Sequence, residues 1–115
     1  MYRPLRETHE EIRLLDLQPA ARLDDPLRGT LRHAKLHDAY CALSYVWGQH
    51  VGDKSNIAIN SLAAALRHLR QKYGRITIWT DALCIDQMNK DEKSWQVPLM
   101  KSIYSEAKEV HAWLG

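Results

Sequence analysis

Two apolar runs that do not alternate constrain this chain more than any other feature of its sequence. Tyr40–Trp47 (YCALSYVW) and Ile76–Thr80 (ITIWT) are almost continuous in aliphatic, β-branched and aromatic residues. A strand with one face in water alternates apolar and polar residues. A strand without alternation is covered on both faces, as in the middle of a parallel sheet. Between the runs, Leu62, Leu66, Leu69 and Tyr73 recur at helical spacing, and this predicts a helix over Ser61–Tyr73. Asn60 or Ser61 can cap its start and Gly74 its end. Strand, helix and strand in that order form a βαβ unit, whose crossover is right-handed. Val110–Leu114 (VHAWL) is a third strand of the same kind. The expected class is therefore α/β, with a small and mainly parallel sheet built from βαβ units.

The remaining segments attach to that core. Ile12–Leu17 reads as a short strand closed by Pro19, and Leu27–Leu36 as a second one after Pro26. The apolar residues of the second strand do not keep one parity, which predicts a bulge at Gly29. Gln49–Asn56 is a loop by composition and Ile57–Asn60 a very short strand. Asp81–Asp91 reads as a loop leaving the carboxyl end of the ITIWT strand. A helix over Lys90–Ala107 follows, with Trp95, Leu99, Met100, Ile103 and Ala107 as its apolar stripe. Asn89 and Glu92 stand at capping-box spacing. Pro98 lies too deep for a first-turn proline, so a kink or a later start is expected. The 115 residues suit one domain over 12–115, preceded by a charged lead over 1–11.

Composition narrows the function classes. Net charge is +2 with acids and bases interspersed, so nothing argues for nucleic acid or an anionic membrane as partner. The densest basic cluster, Arg67, His68, Arg70 and Lys72, falls on the predicted helix and reads as a solvated face. There is no Phe, so Trp and Tyr supply the aromatic bulk, and each carries a polar group that needs a partner when buried. The two cysteines, Cys41 and Cys84, sit in apolar runs and read as buried thiols rather than a disulfide framework. No signal peptide or membrane-spanning stretch is visible, and the expected setting is cytoplasmic and reducing. His33 and His37 have zinc-helix spacing but lack the accompanying Glu, and their segment reads as strand. No compact His/Cys cluster stands elsewhere, so no metal is expected. A glycine-rich phosphate loop and a Gly-x-Ser-x-Gly elbow are both absent.

ALSYVWG at 42–48, DALCIDQ at 81–87, QV at 96–97, IYSEA at 103–107 and WLG at 113–115 follow one another along the chain. In order and spacing this series of strings resembles the HET domain, the heterokaryon-incompatibility module of filamentous fungi. RLLDLQP at 13–19 and the Leu36–Tyr40 stretch resemble its lead-in. Thr80 departs from the apolar β-branched residue usual before the Asp, Ser94 and Trp95 fill a variable linker, and Pro98 falls inside the family's helix. HET domains continue past WLG, so the resemblance implies a copy incomplete at its C-terminus. It further implies a role in nonself recognition and programmed cell death, an innate-immunity function of fungi, with protein partners or self-association. The family's proposed kinship with TIR domains implies a TIR-like or flavodoxin-like core, and NAD as a conceivable substrate. Cofactors are otherwise not implied.

In open α/β sheets, ligands sit outside the carboxyl ends of the strands. That places Trp47, Gly48, Asp81 and the Cys84–Gln87 loop on one rim. Asp81 there either holds a ligand hydroxyl or basic partner, or simply caps the turn. Trp47 either stacks on a ligand or packs in the core, and Ser44 has no triad partner in sequence. Cys84 stands near Asp81, Asp86 and Glu92, acids that raise a thiol's pKa, which argues against a nucleophile. Asp86 and Gln87 either order the loop or touch a ligand. Glu92 reads as a capping residue or a general base, Gln96 one turn later as a hydrogen bond to the loop, and Trp113 as part of the last signature. No catalytic constellation is assembled, so an interaction module and an NAD-cleaving hydrolase remain the two alternatives.

Overall fold

The computed structural model describes residues 2–7, 10–45 and 54–113. Five strands and three helices follow one another: β1 (Glu11–Leu17), β2 (Gly29–Lys35), β3 (Cys41–Tyr45), α1 (Lys54–Tyr73), β4 (Ile76–Trp79), α2 (Asp81–Cys84), α3 (Lys90–Glu106) and β5 (Glu109–Trp113). They form an α/β domain with one five-stranded sheet in the order β2-β1-β4-β3-β5. Trp47 and Gly48 lie outside the described residues.

The sheet is mixed, and this corrects the expectation of a mainly parallel one. β3 pairs in parallel with both β4 and β5. β1 runs antiparallel to β2 and to β4, joining Leu15 to Ile78 and Leu17 to Ile76. β1 is apolar at both parities: Ile12 and Leu14 face one side of the sheet, Leu15 and Leu17 the other, and all four are buried. It is thus an interior strand rather than a short strand added to a finished core, and its direction is set by the β1–β2 hairpin it belongs to.

Two apolar layers cover the two faces. On one, Leu62, Ala65 and Leu66 of α1 pack against Leu15, Leu17, Leu43, Ile76 and Ile78. On the other, Ile103 of α3 packs with Ile12, Leu14, Trp79, Cys84 and Ile85. This double coverage is why the β3 and β4 sequences do not alternate. α1 begins at Lys54, so the predicted Ile57–Asn60 strand and the cap at Asn60 or Ser61 do not form. Ile59 stands three residues before Leu62, and helical spacing carries through a segment too short for strand propensity to decide. Gly74, at φ 73°, ends the helix, its N–H donating to Arg70 O at 2.8 Å. α3 runs unbroken from Lys90 through Pro98, so the later start is not found. At its far end the Tyr40 hydroxyl donates to Ile103 O at 2.6 Å, satisfying a carbonyl of the last turn.

The basic face of α1 is not wholly solvated. Arg70 is 2% exposed and donates to the carbonyls of Leu23, Asp25 and Pro26, fastening the loop between β1 and β2 to the helix. His68 is exposed but lies against the Trp113 ring at 5.1 Å between centroids.

No bulge interrupts β1–β2, because the register runs without a break from Glu11↔Lys35 to Leu17↔Gly29. The role of Gly29 is close approach: a Cβ there would stand 2.8 Å from Asp16 O and 3.0 Å from Leu15 Cδ1. Gly29→Val should therefore shift the hairpin backbone and cost about 1–3 kcal/mol, the usual range for overpacking. The shift in urea midpoint of the purified chain measures it.

Candidate functional site

The carboxyl ends of the parallel strands carry two adjoining groups of signature residues, and they differ in how their charges are met. The first surrounds Arg13 and Glu92, which are 2% and 3% exposed. Arg13 Nη1 donates to Glu92 Oε2 at 2.6 Å and Nη2 to Glu92 Oε1 at 2.7 Å, a two-pronged ion pair. The same guanidinium donates to Cys84 O at 3.2 Å and to Arg3 O at 2.7 Å. The Tyr2 ring covers it at 4.6 Å, and the Tyr2 hydroxyl donates to Leu83 O. Glu92 Oε2 also accepts the Asp86 N–H at 2.6 Å. Asn89 caps α3 by accepting the Glu92 N–H at 3.1 Å, which is half of the expected capping box. The Glu92 carboxylate does not reach back to Asn89; Arg13 and Asp86 hold it instead.

Gln96 is fully buried, and its Nε2 donates to Glu11 O at 2.7 Å rather than to the loop. β4 pairs with β1 only over Leu15–Leu17, and Gln96 meets a β1 carbonyl beyond the end of that pairing. Cys84 is also fully buried, and burial pushes its thiol up to about 12. Its Sγ accepts the Thr80 N–H at 3.5 Å, and a thiol in this setting is no nucleophile. Asp86 Oδ1 accepts the Met88 N–H at 3.2 Å, and Gln87 Nε2 donates to Asp81 O at 2.9 Å. These contacts fold the DALCIDQ loop onto itself.

The second group is Ser44 on β3, Asp81 at the end of β4 and Tyr104 on α3. All three are partly buried on the α3 side. The Ser44 and Tyr104 hydroxyls share a hydrogen bond, and burial together with the Asp81 charge raises the Tyr104 pKa. Trp79 presents its ring to Tyr104 edge-on at 5.5 Å. Burial raises the Asp81 pKa as well, although the backbone N–H groups at the start of α2 partly offset it. Thr80, directly before it, is fully buried, and among the described residues its hydroxyl has no hydrogen-bond partner. Trp113 ends β5 opposite Tyr45 and packs on the α1 side, apart from this group.

Sequence reasoning named Ser44 and Asp81 without joining them, and it missed Arg13 and Tyr104. Arg13 carried one available signal, a charged residue between the apolar Ile12 and Leu14.

Comparison with known proteins bears on these same residues. The family model described as "Heterokaryon incompatibility protein (HET)" matches residues 40–115. A curated relative, heterokaryon incompatibility protein 6, OR allele, of Neurospora crassa, is 37% identical over 133 aligned positions. The alignment covers 96% of this chain and 20% of that protein. The chain belongs to the HET family. No solved structure matches it. Arg13 lies before the stretch that the HET model matches, yet it anchors that stretch through Glu92. Among the described residues, no helix of this HET chain is long and apolar enough to cross a membrane.

Two predictions follow from the contrast between its acids. Removing one member of a buried pair strands the other charge, so Arg13→Met should cost about 3–5 kcal/mol. Adding Glu92→Met should recover much of that loss in chemical denaturation. Asp81 behaves oppositely. Its folded pKa is raised, so its ionised form costs stability above that pKa, and the cost is relieved as pH falls through it. Asp81→Asn should melt higher than the parent at pH 7, with the gap closing as the pH is lowered toward the ordinary carboxylate range.

Proposed function

We propose that this chain is a signalling module of fungal nonself recognition, acting in the cytoplasm and leading to cell death through contact with a protein partner or a second copy of itself. Membership of the HET family gives the incompatibility role its footing. The observation that carries the contact reading is the way the signature loop is used. Arg13 and Asp86 hold Glu92, Cys84 is sealed, and the loop's polar groups bond mainly to one another. What the loop turns outward is Met88, 92% exposed beside the exposed Gln87. An unbranched, polarizable side chain held out on a stiff loop suits an adaptable protein contact.

The alternative is a TIR-like hydrolase that takes NAD as substrate. Its support is the strand order. Taken in chain order, the parallel strands β3, β4 and β5 lie in the sheet as second, first, third, which is how a flavodoxin-like core begins. Glycosidic cleavage commonly uses two carboxyl groups. Of the signature acids, Asp81 alone stands beside Ser44 and Tyr104, and among the described residues no cation holds it.

Inducible expression in a filamentous fungus separates these readings. The parent chain should arrest growth. Met88→Asp should abolish the arrest at equal soluble abundance, while changing stability by no more than about 0.5 kcal/mol, as for other exposed positions. Arrest that persists with Met88→Asp but is lost with Asp81→Ala, together with nicotinamide release by the purified chain, would move the function to the Asp81 rim. Healthy cells with abundant soluble parent would overturn the effector role for this chain.

A further inference from the structure

We propose that Cys41, Glu109 and His111 form a binding site for a zinc-type divalent cation. The sequence shows no metal motif because these residues lie on strands distant in the chain. The parallel register of β3 and β5 places Cys41 against Glu109 and Leu43 against His111, so all three side chains share the α1 face of the sheet. One ligand atom from each lies within 4.8 Å of the others. His111 Nε2 and Glu109 Oε1 are 3.7 Å apart, too far for a hydrogen bond. Tetrahedral zinc with bonds of about 2.0–2.3 Å spaces its ligand atoms roughly 3.3–3.7 Å apart, so small rotamer adjustments would close the set.

A second observation concerns His111 itself. Its Nε2 is buried and, among the described residues, has no hydrogen-bond partner, while the Tyr73 ring holds the imidazole edge-on at 5.5 Å. A buried ring nitrogen left without a partner costs free energy, and a cation at this point would satisfy it. Glu109 is half exposed, which leaves an entry route from solvent.

Chemistry selects the ion. Thiolate and imidazole favour zinc or cobalt over magnesium or calcium, which take oxygen ligands. On binding, the Cys41 thiol gives its proton to the buffer and forms the sulfur–metal bond, and neutral His111 binds through Nε2. Thiolate and carboxylate then balance the double positive charge. That balance suits surroundings in which Lys72, Arg75 and Lys108 line the neighbouring grooves. Three protein ligands leave the fourth position to water.

The test is titration of the purified full chain with cobalt(II), followed by zinc. The expected result is a near-ultraviolet thiolate-to-cobalt band saturating at one equivalent, erased by zinc and unaffected by excess magnesium. Cys84 is fully buried and cannot supply that thiolate. Cys41→Ser should remove the band. His111→Ala and Glu109→Gln should each weaken binding at least about tenfold, and zinc should raise the parent's Tm but not that of His111→Ala. Absence of the thiolate band, or its survival in Cys41→Ser, would overturn the site. Should Cys41→Ser fail to fold, the solvent-facing Glu109→Gln decides, and unchanged affinity there would also overturn it.

Discussion

Arg13 and Glu92 are both nearly out of water, and desolvating two charges is tolerable only when they are paired with each other and hydrogen-bonded. Arg13 meets Glu92, two backbone carbonyls and the Tyr2 ring, while Glu92 meets Arg13 and a backbone N–H. The partners come from the N-terminal lead, the second interior strand, the signature loop and the first turn of α3. The pair therefore does more than join two elements. It fixes the carbonyl at which α2 ends, the N–H that turns the chain at Asp86, and the start of α3, where the Asn89 side chain caps the N–H of Glu92 itself. A loop tied at three points in this way has little freedom left, and this makes Met88 an exposed side chain on a stiff support.

The sheet explains why that loop lies where it does. β3 connects to β4 through α1, and β4 connects to β5 through α3, stepping in opposite directions from β3. Right-handed crossovers in opposite directions put the two helices on opposite faces. The two separate apolar layers record this arrangement. The carboxyl ends of β3 and β4 then open side by side, with Ser44 on one and Asp81 on the other, and Tyr104 reaches them from α3. β1 runs antiparallel along β4 but pairs with it only through Leu15–Leu17, opposite Ile76, Thr77 and Ile78. Beyond that pairing, on the side away from β2, β1 meets Gln96 through the Glu11 carbonyl and the signature loop and Glu92 through its own Arg13 rather than another strand.

Much of this was legible in the residues. The runs at Tyr40 and Ile76 showed strands buried on both faces, the Leu62–Tyr73 spacing showed α1, and Asn89 with Glu92 marked the start of α3. What the residues could not show were distant pairings and directions. Apolar residues at both parities of β1 say that it is interior and are silent on which way it runs. Ile57–Asn60 is too short for its period to be read, and the α1 helix absorbed it. Arg70 looked like one of several surface bases, since a cage of backbone carbonyls leaves no trace in side-chain spacing. The convergence of Cys41 with His111 depends on strand register, which no local motif encodes. Asp81 was found because it ends a strand. Tyr104 was not, because its position within the IYSEA string gives no hint of which face it occupies.

Two acids of the DALCIDQ region and its following helix, Asp81 and Glu92, divide the signature by physical condition. Glu92 is deeply buried and paired, so its charge is settled within the fold and its loss is a matter of stability. Asp81 is only partly buried, faces no cation among the described residues, and has its pKa pushed up by the surroundings. A group in that state lowers stability at neutral pH. Among the described residues it lies beside two hydroxyls that share a bond and below a third, at Thr80, that has none. Turn chemistry alone would be served as well by an uncharged Asn, which makes the same backbone contacts without the desolvation cost. The charge at Asp81 is therefore the part of the signature that folding does not account for. A change that removes the charge while keeping the shape separates what this region does for the fold from any role beyond it.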